Sequence, residues 1–276
     1  MSILKKAGKI VFMVLFLATG LIFFSPIILT MINGFKTMPE LSKSFFAVPK
    51  ALSFDNFREV INLTNFWQAF YNSCFITVVS VAGIVLISMM ASYAIVRRNS
   101  RFNQVIYIVF VMGMVMPFTT IMIPTMKLFG FLNISGKWGL ILEYWALGVS
   151  LAVFLLSGFL KSSVPIELEE AARIDGANAW RIFFRIVFPL LRPSIMTIIM
   201  IDTIWIWNDF LLPSLLLYGK VNRTLPLSQH TLVGQYVQKF TLQFAAFTLA
   251  MLPLFILFFT CQKYIIRGVA AGSVKG

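Results

Sequence analysis

The sequence predicts an all-α polytopic membrane protein with six transmembrane helices, and two observations carry that prediction. The 276 residues are 59% hydrophobic, with a mean hydropathy of +0.88, where soluble domains run at about 45–50% apolar. The excess falls into six apolar blocks without strand-like alternation, at about 10–32, 70–96, 105–125, 138–160, 195–217 and 244–264. Each block holds at least 21 residues, and at about 1.5 Å per residue such a helix crosses the roughly 30 Å hydrocarbon core. Lipid admits only structures that satisfy their own backbone hydrogen bonds, and continuous runs favour helices over a closed barrel.

The first block follows Lys5, Lys6 and Lys9, as the apolar part of a signal peptide would. Its run of about 23 residues is long for that role, and no small-residue cleavage site follows, so it is predicted to stay as an anchor helix. Blocks two and three are joined by a short loop with Arg97, Arg98 and Arg101. Blocks four and five are separated by the longer, charged loop 161–194, and block six leads into the ending "GVAAGSVKG". No soluble domain or internal repeat interrupts this plan, so one transmembrane domain is expected over 1–276.

Charge assigns the sides. With the N-terminus inside, the cytoplasmic segments hold 13 Lys/Arg in 63 residues, and the outer ones 9 in 75. The bias places both termini and the loop 161–194 in the cytoplasm. The net charge of +13 then reads as loops held against anionic headgroups, with no call for nucleic acid. Cys74 and Cys261 sit inside apolar blocks and His230 is the sole histidine, so neither a disulfide nor a metal site is expected. No Gly-x-x-x-x-Gly-Lys-Ser/Thr motif occurs, so nucleotide phosphates are not bound by that route.

Residues 167–186, "ELEEAARIDGANAWRIFFRI", carry four acidic and three basic residues in a chain that is only 12% charged. Pro165 suits the start of a helix. Glu167, Glu169 and Glu170 favour its positive end, and Glu169 can pair with Arg173 four residues on. Asp175-Gly176 ends the helix, glycine supplying φ > 0. Asn178 can cap a second helix through Val187, with Trp180, Phe183, Phe184 and Val187 on one face and Arg181 and Arg185 on the other. On physics alone, such a helix–turn–helix either parks in the headgroups or presents a docking surface. Ala171 and Ala172 would let another body approach its backbone.

Glu170-Ala171-Ala172, three residues, Gly176, nine residues, Ile186, one residue and Phe188-Pro189 resemble the cytoplasmic signature of ABC importer permeases, with Phe188 in place of leucine. "NGFKTMPEL", "FYNS", "WNDFLLPSLLL" and "GVAAGSVKG" are similar to the maltose-type carbohydrate permeases, specifically the shorter subunit of the pair. The resemblance implies the type I ABC importer permease fold. It makes Glu170, Ala171, Ala172, Asp175 and Gly176 the coupling surface for a separate ATP-hydrolysing subunit. It implies a second permease subunit, against which the first helix packs, two ATP-binding subunits that hold the ATP and magnesium, and an extracytoplasmic sugar-binding protein. The small residues at 270–273, including Gly272 and Ser273, predict a flexible tail that reaches the ATPase pair together with Lys275.

Acids within the apolar blocks are costly unless they face protein or water, at least about 2.5–3.5 kcal/mol each. Asp202 and Asp209 are two turns apart and share a face with Trp205, and Asn208 lies beside it. Carboxylates beside an aromatic ring suit a passing sugar; the other reading is that they brace helices. Glu143 can reach the membrane interface, and Pro213 predicts a kink near Asp209. The leading function is a non-enzymatic subunit of an ATP-driven sugar importer in a bacterial or archaeal plasma membrane. Other readings are the same machine carrying a polyol or glycerol phosphate, a proton-coupled carrier using Asp202 and Asp209, or a membrane scaffold.

Overall fold

The computed structural model describes residues 2–98, 100–235 and 239–273, and their regular secondary structure is helical. In chain order the helices are α1 (Ser2–Gly34), α2 (Met38–Lys43), α3 (Asp55–Leu63), α4 (Phe66–Arg97), α5 (Arg101–Val115), α6 (Phe118–Phe131) and α7 (Gly136–Ser163). There follow α8 (Ile166–Ile174), α9 (Ala179–Leu190), α10 (Arg192–Asn208), α11 (Leu211–Leu216), α12 (Leu225–Gln235) and α13 (Phe240–Ser273). Four spans are long and apolar enough to cross a bilayer: Gly8–Gly34, α4, α7 and Phe240–Thr260. Two further candidate spans are bent pairs, α5 with α6 at 106° and α9 with α10 at 73°; in the second pair α9 belongs to the charged loop 161–194 and α10 is the apolar part. Six spans result when each bent pair counts once.

The third block is therefore not the straight helix its hydropathy predicts. Pro117 has no N–H to donate and crowds the residue before it out of the helical region, and Met116 lies at φ −71°, ψ 120°. The fifth block also stops short of 217. Asp209 turns extended, at φ −70°, ψ 132°, four residues before Pro213, whose ring would meet the Asp209 carbonyl in a continuous helix.

The chain divides into two compact units. In the one formed by residues up to Trp67 with Ser228–Pro253, Phe57, Val60, Leu232, Leu242, Ala245 and Ala246 form the core. The "NGFKTMPEL" stretch is tied down by polar contacts. The Asn56 amide donates to the carbonyls of Gly34 and Lys36 at 2.9 and 2.8 Å. The buried Lys36 ammonium donates to the carbonyls of Ser44 and Phe45 at 3.0 and 3.1 Å. Glu40 accepts from the Thr37 and Lys50 amides at 3.0 and 3.3 Å, which holds its pKa below the ordinary value.

The other unit, Gln68–Leu227 with the segment from Leu254, is built around α4 and α7. Small residues let these helices approach closely. Gly83 faces the Trp145 indole, where any Cβ would collide, and that indole N–H donates to the Ser80 carbonyl at 3.1 Å. Ser92 donates to the Val153 carbonyl at 3.3 Å. Ile84, Leu140, Tyr144, Val153 and Leu156 fill the contact, fully buried.

Candidate coupling loop and membrane site

The loop 161–194 folds as two short helices with a defined corner. Pro165 is the N-cap of α8, one residue earlier than a first-turn position. Gly176 adopts φ +81°. Its N–H donates to the Arg173 carbonyl at 3.0 Å, and the Ala177 N–H donates to the Ala172 carbonyl at 2.9 Å. These two bonds form a Schellman motif, which satisfies carbonyls that the helix end would leave open. The Asn178 side chain accepts from the Arg181 N–H at 2.8 Å and caps α9. The corner is thus held by backbone geometry, as the sequence predicts for Gly176 and Asn178.

The faces differ from the prediction. Glu169 does not stand on the surface paired with Arg173; it is the one buried residue of α8. Its Oε1 accepts from Arg97 Nε of α4 at 2.7 Å, and its Oε2 accepts from the Tyr93 hydroxyl at 2.8 Å. Arg97 also donates to the Val164 carbonyl at 2.8 Å. Removing one partner of a buried ion pair costs about 3–5 kcal/mol, because the other charge is stranded. In α9 a π turn at Phe183–Val187 shifts the helical phase. Ile182, Phe183 and Val187 are buried, while Trp180 and Phe184 are exposed and stack at 6.0 Å with planes 14° apart.

Of the predicted coupling residues, Glu170, Ala171, Asp175 and Gly176 are exposed on one continuous segment. Ala172 is half-buried and packs in part against the chain's own core. Ile174, which the sequence reading passed over, is 87% exposed at the corner. An isoleucine just before an Asp-Gly helix stop was the available signal. In the tail, α13 stays helical through Gly272 and Ser273, where a flexible end was expected; Lys275 lies outside the described residues.

The structure separates the two membrane acids. Asp209 accepts from the Tyr144 hydroxyl through Oδ2 at 2.9 Å and from the Leu211 N–H through Oδ1 at 3.0 Å. It caps α11 at the helix break and ties it to α7. Asn208 turns back on its own helix, donating to the Ile204 carbonyl at 2.7 Å. Asp202 is buried, and its Oδ2 has no hydrogen-bond partner among the described residues. It lines a cavity of about 320 Å³ with Trp205, Met114, Met116, Phe118 and Leu147. That volume sits at the small end of the about 300–1,000 Å³ usual for small-molecule sites. Trp205 in turn packs edge-on against Tyr144 at 5.4 Å. Glu143 is buried in α7. No cluster of metal-ligating side chains occurs among the described residues.

A helical chain with up to six candidate spans and a charged helix–turn–helix before the fifth has the make-up of an integral membrane subunit. The family model for "Binding-protein-dependent transport system inner membrane component" matches residues 83–271. The chain is 38% identical over 256 residues, 93% of each protein, to "Probable starch degradation products transport system permease protein AmyC" of Thermoanaerobacterium thermosulfurigenes. It is 35% identical to "Multiple sugar-binding transport system permease protein MsmG" of Streptococcus mutans, over 99% of this chain and 100% of that one. It is 34% identical to "Melibiose/raffinose/stachyose import permease protein MelC" of Bacillus subtilis, over 92% of each. In structure it is similar to a chain of a bacterial ABC transporter involved in the import of the acidic polysaccharide alginate, with TM-score 0.68 at 15% identity, covering 96% of this chain and 98% of that one. The chain belongs to the binding-protein-dependent transport system inner membrane components, and its fold is that of ABC importer permeases.

Proposed function

We propose that this chain is one of two permease subunits of an ATP-driven carbohydrate importer, and that the segment from α8 to α9 is the handle gripped by an ATP-hydrolysing subunit. One observation carries the reading. The ABC-type signature lies on a helix with a fixed end, whose exposed surface offers Glu170, Ala171, Ile174 and Asp175 beside the stacked Trp180 and Phe184. Exposed apolar groups rimmed by charge suit a protein partner. ATP and magnesium belong to the partner subunits. Closure of that pair draws the loops together and turns the pathway outward; hydrolysis and release turn it inward. The end of α13, with Gly272, Ser273 and Lys275, reaches the same ATPase pair. Both termini are cytoplasmic, and a sugar-binding protein delivers cargo from outside.

Carbohydrate is the favoured cargo because the relatives' names specify starch products, multiple sugars and melibiose-type oligosaccharides. The cavity suits it. Asp202 accepts from hydroxyls, and Trp205 covers an apolar C–H face. No lysine or arginine lines the cavity to hold the phosphate of glycerol phosphate. Asp209, already occupied by Tyr144 and the Leu211 N–H, fits bracing better than a proton relay. The test is affinity purification of the tagged chain from its native membrane. An ATPase subunit and a second permease should accompany it, and the cognate binding protein should be stabilised by raffinose, maltotriose or a related oligosaccharide. A chain that purifies alone and needs no ATP for uptake would overturn the reading.

A further inference from the structure

We propose that Arg97, Glu169 and Tyr93 form a polar strut that makes α8 move as one body with the inner end of α4. The inference rests on the coupling reading and adds the route by which a push on the loop enters the membrane. Three observations converge on it. Glu169 is the one buried residue of α8, and only the half-buried Ala172 adds apolar packing, so this helix is anchored chiefly through a charge. The Glu169 side chain is 1% exposed and that of Arg97 12%, so water competes little for the contact. The anchor is also multidentate. Glu169 uses both oxygens, on Arg97 and Tyr93, while Arg97 reaches past it to the Val164 carbonyl at the end of α7. Tyr93 touches the other arm too, its ring edge-on to Phe183 of α9 at 5.4 Å. One turn of α4 thus holds both helices of the loop.

The geometry suits transmission better than stability alone. A charge-assisted bond whose two partners are each held by a second contact, Arg97 on the Val164 carbonyl and Glu169 on the Tyr93 hydroxyl, fixes direction as well as distance. An apolar contact of equal area lets helices slide. Beside the strut lies a cavity of about 670 Å³, walled by Ile95, Arg97, Tyr107, Lys161 and Ile166. On that side α8 lacks close packing, and the strut takes the load. Glu170, the next residue, is exposed. Neighbouring glutamates, about 100° apart around the helix, thus divide the work, Glu169 toward α4 and Glu170 toward the partner.

The experiment uses the full complex with its ATPase subunits and binding protein, in lipid nanodiscs. Cys74 and Cys261 are replaced by alanine, and spin labels are placed at Leu168→Cys on α8 and Ala94→Cys on α4, both exposed sites outside the docking surface. On trapping with Mg-ATP and vanadate, the two labels should keep their separation to within the about 1–2 Å of a packed-helix shift. In Glu169→Gln and in Arg97→Gln the separation should change by more than that on trapping. ATPase subunits should stay bound, and stimulation of hydrolysis by the binding protein should fall at least about fivefold, the low end of ordinary coupling between sites. The double variant, with no stranded charge, should be no worse than either single one. A change in separation in the otherwise unaltered protein would overturn the strut without need of any variant. So would variants that keep both the fixed separation and full stimulation. Ala171→Trp tests the docking independently: if it keeps its ATPase subunits while the labels still move together, the docking reading falls and the strut stands.

Discussion

Substitution of Gly176 isolates backbone geometry from contact. Its φ of +81° lies in the left-handed region, and a Cβ built there has nothing within 4 Å. A side chain at 176 therefore meets no steric obstacle, and the penalty is conformational. A non-glycine residue in this region costs about 1–2 kcal/mol, and a β-branched residue sits there least readily. Such a penalty lowers the population of the native corner by a factor of about 5–30. Gly176→Val should show nearly the full effect, Gly176→Ala less, and Gly176→Asn least, since asparagine tolerates the left-handed region. Two assays read this series. Hydrogen exchange at the Gly176 and Ala177 amides, both bonded in the Schellman motif, should accelerate in the order Asn, Ala, Val. Retention of ATPase subunits on the purified permease pair should fall in the same order. Equal loss in Asn and Val would mean that the missing side chain matters through contact with a partner and not through φ. Wild-type exchange in Gly176→Val would refute the corner argument outright.

Further outcomes follow from other parts of the molecule. Ala171→Trp should insert and pair with the second permease yet release the ATPase, whereas Ala172→Trp should lower the thermal stability of the permease itself, because Ala172 packs against its own core. Asp209→Asn keeps one acceptor where Asp209 uses two, and should destabilise by about 1.5–3 kcal/mol, the worth of a hydrogen bond to a charged group; Asp202→Asn, with no partner to lose at Oδ2, should cut uptake without lowering stability. Glu40, whose pKa is held down first by the Thr37 amide, contributes its anchoring fully above the ordinary value and loses it as pH falls through the lowered one. Hydrogen exchange over 37–50 should therefore quicken only below about pH 4.5. A cytoplasm-dependent reporter fused after Gly276 should be active and one inserted at Asn133 silent; the reverse would overturn the orientation.

Much of this was legible because it depends on local chemistry. Six apolar blocks, Gly176 and Asn178 declare themselves through composition and through backbone preference, which neighbours rarely override. The third block was misjudged because hydropathy averages over Pro117, whose effect on Met116 is steric and not apolar. The faces of the loop were hidden for two reasons. A π turn breaks the 3.6-residue phase on which the Trp180–Val187 assignment rested. The partner of Glu169 lies 72 residues away at Arg97, while a plausible one, Arg173, stands four residues on. Asp202 and Asp209 are alike in sequence; only the third dimension reveals that Tyr144 engages one and leaves the other facing a cavity.

In the proposed function, this chain moves its cargo by taking work from an ATPase gripped at α8. The most direct measurement is uptake of radiolabelled raffinose or maltotriose, whichever stabilises the cognate binding protein, by the purified complex in sealed vesicles. The binding protein is supplied outside, and Mg-ATP is either enclosed or omitted. Uptake should require enclosed Mg-ATP, survive collapse of the proton gradient, and vanish in Ala171→Trp. Uptake that proceeds without ATP, collapses with the gradient and ignores Ala171→Trp would show that no ATPase at α8 drives transport.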